Sequence, residues 1–135
     1  MLTEAAKGVY TIAVTPFLPN GAIDFDSIDR MVDFYIEQGA TGLTILGMMG
    51  EAGKLSAEES LSVVNRVIAR TSVPVVVGVS APGYAAMETL SKSSMDAGAA
   101  GVMVAPTSNL RSDDQIIGYY HGVANVLADA PFVLQ

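Results

Sequence analysis

The string Gly47-Met48-Met49-Gly50-Glu51 sets two glycines three residues apart, directly after the apolar run Leu43-Thr44-Ile45-Leu46. Glycine at such a place marks a backbone that turns sharply or comes close to another group. The two residues between are methionines, which offer no side-chain hydrogen bonds and instead fill irregular apolar space. Glu51 closes the string and could act as a catalytic carboxylate. The plainer role for a carboxylate in a turn is to accept from backbone N–H groups, and that is the expectation adopted. His121 is the only histidine and lies in Tyr119-Tyr120-His121-Gly122. A lone histidine within a helical stretch reads as a surface or interface residue rather than an acid–base catalyst, while Tyr119 and Tyr120 are expected to pack on the body of the fold or on a neighbouring subunit. Asp24, Asp26, Asp29 and Asp33 read as the solvated start of a helix, where carboxylates complement the dipole. They do not form a metal cluster.

These residues must be held by regular elements. Apolar, β-branched runs recur at Val9–Val14, Gly42–Leu46, Val73–Val79, Gly101–Ala105 and Pro131–Leu134. Between them lie helical patterns. Ile28, Met31, Val32 and Tyr35-Ile36 share one face, with Asp26 or Ser27 as the expected N-cap. Leu61, Val64, Val67 and Ile68 share another, where Ser56 and Glu59 have the spacing of a capping box. Ala86 to Ala97 is a third helix, and Asp113 to Leu127 a fourth capped by Ser112 or Asp113. Glycine recurs at the helix ends, in Gln38-Gly39-Ala40 and Ala97-Gly98-Ala99, where a left-handed cap belongs. The order β-α-β-α-β-α-β-α-β predicts parallel strands in right-handed units.

The chain has 135 residues, half of them hydrophobic and only 16% charged, with a mean hydropathy of +0.41. Strands buried on both faces explain that composition, and no run approaches the ~20 residues of a membrane span. The net charge of −7, from 14 acidic and 7 basic residues, argues against nucleic acid as a partner. With no cysteine there are neither disulfides nor thiolate metal sites. The start, MLTEAAKG, lacks the pattern of a secretory signal, so a cytoplasmic protein is expected. The pattern breaks off at Phe132-Val133-Leu134-Gln135, inside what reads as a strand, which suggests a piece of a longer protein.

Several phrases fit together. Gly8-Val9-Tyr10-Thr11-Ile12-Ala13-Val14-Thr15-Pro16-Phe17 with Asn20-Gly21-Ala22-Ile23-Asp24, then Gly47 to Glu51 with Leu55-Ser56 and Glu58-Glu59, then Val73-Pro74-Val75 with Gly78, then Gly98 to Pro106 follow in order. The chain resembles the dihydrodipicolinate synthase and N-acetylneuraminate lyase family across nearly its whole length. The resemblance implies an α/β fold, the N-terminal (βα)4-β portion of a (β/α)8 TIM barrel with sequential parallel strands. Residues 1–135 would be a partial barrel of strands 1–5, with the remainder absent from this chain and the site at the C-terminal strand ends. It implies a Schiff-base lyase or class I aldolase acting on pyruvate or another 2-oxo acid, without cofactor or metal, and usually tetrameric. The Schiff-base lysine would stand on the sixth strand, beyond Gln135; Lys54, past the loop, is a poor substitute.

In the family the residues between the glycines are usually hydroxylated or small, and backbone N–H groups there hold the 2-oxo acid carboxylate. Gly47, Met48, Met49 and Gly50 would therefore bind substrate through the backbone, in a more apolar pocket. Thr107 and Ser108 follow Pro106, where synthases carry a tyrosine pair, and are expected to line the site with Ser80. Arg111 could meet a second substrate's carboxylate. Gln135 falls at the position of the family's proton-shuttling tyrosine, and an amide is no general acid or base near neutral pH. Two other readings compete with the enzyme: a non-catalytic binder of a carboxylate or sugar acid, and an inactive half-barrel.

Overall fold

The computed structural model describes residues 1–135. Five strands alternate with four α-helices: β1 (Tyr10–Ile12), α1 (Phe25–Glu37), β2 (Gly42–Ile45), α2 (Ala57–Arg70), β3 (Val75–Gly78), α3 (Tyr84–Asp96), β4 (Gly101–Val104), α4 (Asp113–Leu127) and β5 (Phe132–Leu134). A 3-10 turn, Ala52–Lys54, precedes α2. The strands form one sheet in the order β1-β2-β3-β4-β5, every pair parallel. Successive helices pack on one another, α1 on α2, α2 on α3 and α3 on α4. This is the expected sequential arrangement.

Strand parity divides the sheet into two faces, because successive side chains point to opposite sides. Leu43, Ile45, Val75, Val77, Val79, Val102 and Val104 join Ile28, Val32, Val64, Val67, Met87 and Val123 in the core beneath the helices. Burying each such side chain contributes about 1.5–3 kcal/mol. The opposite parity, Tyr10, Thr44, Val76, Met103 and Val133, lines a separate hollow with Leu2 and Ala6 on the inner side of the sheet. Leu2 N–H donates to the Ala100 carbonyl at 2.6 Å, laying the N-terminal segment across the bottom of the strands.

Local signals set the helix starts. Ser56 accepts from Glu59 N–H while the Glu59 carboxylate accepts from Ser56 N–H, the reciprocal box expected there. Ser112 and Gln115 form a second box at α4. The start of α1 differs from expectation: Asp24 is the N-cap, not Asp26 or Ser27, because its carboxylate accepts from both the N–H and the hydroxyl of Ser27. Helix α3 begins at Tyr84 rather than Ala86, behind Gly83, and its first residue stacks on Tyr119. Strand bounds are narrower than the apolar runs, although hydrogen bonds between neighbouring strands continue past them at Val9, Ala13, Pro74, Val79 and Pro131. Asp29 and Asp33 are more than a solvated helix start. They take bidentate hydrogen bonds from Arg66 and Arg70, one helical turn apart on each helix, and so tie α1 to α2.

Candidate functional site

The C-terminal ends of β2, β3, β4 and β5 open on a groove of about 700 Å³. Gly47, Met48, Glu51, Lys54, Ser80, Met103, Ala105, Pro106 and Gln135 are among its lining residues. Met49, Gly50, Thr107 and Ser108 stand outside that lining. Thr107 is half-buried and Ser108 exposed in the loop after β4. Arg111 and His121 are exposed, and neither lines the groove.

The loop after β2 is shaped by backbone, not by its side chains. Leu46 turns into the left-handed region (φ 54°) with its side chain only 3% exposed, anchoring the loop's first end. Glu51 is also left-handed (φ 54°, ψ 30°) at the other end. Both are non-glycine residues in a costly conformation, and such strain gathers at functional sites. Between them Glu51 N–H donates to the Met48 carbonyl at 3.1 Å, closing a tight turn. A Cβ on Gly50 would lie 3.0 Å from Leu46 N and 3.3 Å from Gly47 N, so this glycine permits the fold-back. Gly47 has ordinary room, its nearest neighbour being Met103 Cε at 3.5 Å.

The N–H groups of Met48, Met49 and Gly50 donate to no protein acceptor. Backbone donors clustered in a turn form a concavity suited to an anion. The methionine side chains do not build an apolar pocket: Met48 is 91% exposed and Met49 58% exposed, both directed outward from the turn. With tightly bound backbone on the inner side of the turn, solvent is what remains for them. Glu51 also departs from expectation. Its carboxylate pairs with Lys54 Nζ across the 3-10 turn instead of capping N–H groups. That places an ion pair at the rim of the groove.

On the opposite side, Ala105 N–H donates to Ser80 Oγ at 2.9 Å, joining the ends of β3 and β4. Two tyrosines of α4 brace the strand ends from behind. Tyr119 Oη lies 3.3 Å from the Ala105 carbonyl, and Tyr120 Oη donates to the Gln135 carbonyl at 2.8 Å. Burial raises both phenol pKa values above the ordinary 10.0, so both remain hydroxyl donors through the neutral range. No group of three His, Cys, Asp or Glu side chains is placed to hold a metal ion.

One buried residue of the site is not singled out by sequence reading. Thr15 Oγ1 donates to the Gly50 carbonyl at 2.6 Å from the segment after β1. Its only signal is a hydroxyl at a strand end before proline, in Val14-Thr15-Pro16.

Residues 5–135 match the Dihydrodipicolinate synthetase family. The chain belongs to that family. Among dihydrodipicolinate synthetase relatives, the 4-hydroxy-tetrahydrodipicolinate synthase of Sorangium cellulosum is 38% identical over 132 residues, covering 95% of this chain and 44% of the relative. That of Laribacter hongkongensis is 33% identical over 130 residues, covering 94% and 44%. The crystal structure of dihydrodipicolinate synthase from Rhodopseudomonas palustris superposes with a TM-score of 0.94 at 53% identity, over 99% of this chain and 45% of that one. The chloride-inhibited Acinetobacter baumannii synthase, solved with pyruvate, gives a TM-score of 0.83 at 29% identity over 93% and 44%. The chain thus spans a little under half the length of these relatives, and its five strands correspond to the N-terminal part of the dihydrodipicolinate synthetase barrel.

Proposed function

We propose that residues 1–135 are the N-terminal part of a lyase or aldolase that acts on pyruvate or another 2-oxo acid. The observation carrying this reading is the turn at the mouth of the sheet, where the N–H groups of Met48, Met49 and Gly50 lack protein acceptors. A carboxylate is the anion that a 2-oxo acid brings to such a turn. A lysine of the remaining barrel adds its amine to the keto carbon and loses water, and the resulting imine withdraws electrons from the adjacent C–C bond. The whole protein is read as a cytoplasmic homo-oligomer, in keeping with its family.

Gln135 shapes what that lyase does. Its amide holds a substrate by hydrogen bonding but transfers no proton near neutral pH. The family's tyrosine relay is therefore replaced or bypassed, and synthase activity proper gives way to another lyase, hydratase or aldolase reaction. The same observation also favours a second reading, a binding protein without turnover.

Incubating the full-length gene product with pyruvate and borohydride, followed by peptide mass spectrometry, tests the reading. A stoichiometric reduced adduct on a lysine beyond Gln135 is expected. Saturable pyruvate binding without an adduct would favour the non-catalytic binder, and no binding at all would overturn both.

A further inference from the structure

We propose that Thr15 is a positioning residue that holds the anion-binding turn in its receptive form. The inference rests on the 2-oxo acid reading given above. It starts from the peptide unit joining Gly50 to Glu51, which is held at both ends. Its carbonyl accepts from Thr15 Oγ1 at 2.6 Å, and its N–H donates to the Met48 carbonyl at 3.1 Å. Releasing that unit would break both bonds and loosen the turn that holds the preceding N–H groups of Met49 and Gly50.

Thr15 is itself well anchored. On one side Ala13 N–H donates to the Thr44 carbonyl at 2.8 Å, extending the pairing of β1 with β2. On the other, Asp24 N–H donates to the Pro16 carbonyl at 3.0 Å, and Phe17 bridges Ile23. Thr15 is 5% exposed, so its bond to Gly50 is shielded from water. The turn needs such a tie because its own side chains supply none. Met48 and Met49 point to solvent, while Leu46 and Glu51 hold left-handed conformations that relax readily if released.

Removing the hydroxyl orphans the buried Gly50 carbonyl and frees the turn. A substrate carboxylate would then bind only the fraction of molecules still in the receptive form. The cost of one such bond corresponds to a roughly three- to tenfold weakening. Thr15→Val keeps the shape of the side chain, and Thr15→Ser keeps the hydroxyl.

The test is borohydride trapping of pyruvate in the full-length gene product, with labelling rate measured against pyruvate concentration. Thr15→Val should raise the half-saturating concentration roughly three- to tenfold while the limiting rate stays near that of the parent, and Thr15→Ser should restore it. A merely structural role would lower the limiting rate or the amount of labelled protein and leave half-saturation alone, which would overturn the proposal. An unchanged half-saturation in Thr15→Val would do the same. If the parent protein binds pyruvate without forming an adduct, the same roughly three- to tenfold shift is read from the dissociation constant; if it does not bind pyruvate, the 2-oxo acid reading fails and the role of Thr15 falls with it.

Discussion

The backbone of Gly78 presses directly on Leu46. A Cβ at Gly78 would overlap the Leu46 carbonyl oxygen and stand 2.7 Å from its carbonyl carbon. β3 can lie against the left-handed turn that leaves β2 only because this residue has no side chain. The contact links the second and third strand ends just below the groove.

Gly78→Ala should therefore destabilise the fold by about 1–3 kcal/mol, the usual cost of overpacking, and should distort the Gly47–Gly50 turn. Chemical denaturation measures the first effect. A midpoint unchanged from the parent would show that Leu46 yields without cost.

Met48→Thr with Met49→Thr should leave stability within about 0.5 kcal/mol, because both side chains are exposed. In the full-length protein it should change substrate preference by adding hydroxyls beside the free N–H groups. Kinetic constants for a panel of 2-oxo acids decide this. Identical constants throughout would remove the turn from the site.

The Asp33 carboxyl is held below the ordinary aspartate value of 3.8 by hydrogen bonding to Arg70, and Asp24 likewise by its bonds with Ser27. A lowered folded-state value means stability that is present above the unfolded pKa of about 3.9 and lost as pH falls through the folded value. Unfolding followed from pH 5 downward should show that loss below about pH 4. Asp33→Asn should flatten the acid limb. An equally steep limb in the variant would assign the loss to other carboxylates.

Residues 1–135 alone should self-associate. β1 and β5 each pair on one side only, and Ile12, Val14, Val133 and Leu134 are exposed near those edges. Unpaired edges and apolar patches recruit further copies. Light scattering should give a mass above 14.0 kDa. Pyruvate with borohydride should leave Lys54 unmodified, since its side chain is exposed at the rim and paired with Glu51. A stable monomer, or labelling of Lys54, would contradict this account.

The alternation of strands and helices, the capping box at Ser56, and the whole span of α4 were legible in the sequence. So was a sharp turn in the Gly47–Glu51 string. Each depends on neighbours within a few residues, where backbone hydrogen bonding and side-chain periodicity act locally. The α1 cap falls on Asp24 and not on the expected Asp26 or Ser27, because only the realised hydrogen bonds select among neighbouring polar residues.

What the tertiary structure alone decided lies between distant residues. Thr15 meets Gly50 across 35 positions, and Arg66 and Arg70 reach Asp29 and Asp33 across 37. Met48 and Met49 face water because the inner side of their turn is already occupied by backbone. Such contacts are set by the register of parallel strands joined through helices. A shift of one residue in that register would turn every strand side chain to the other face, so the composition and order of the chain foretell the sheet, while the pairing of its strands determines which groups meet at its mouth.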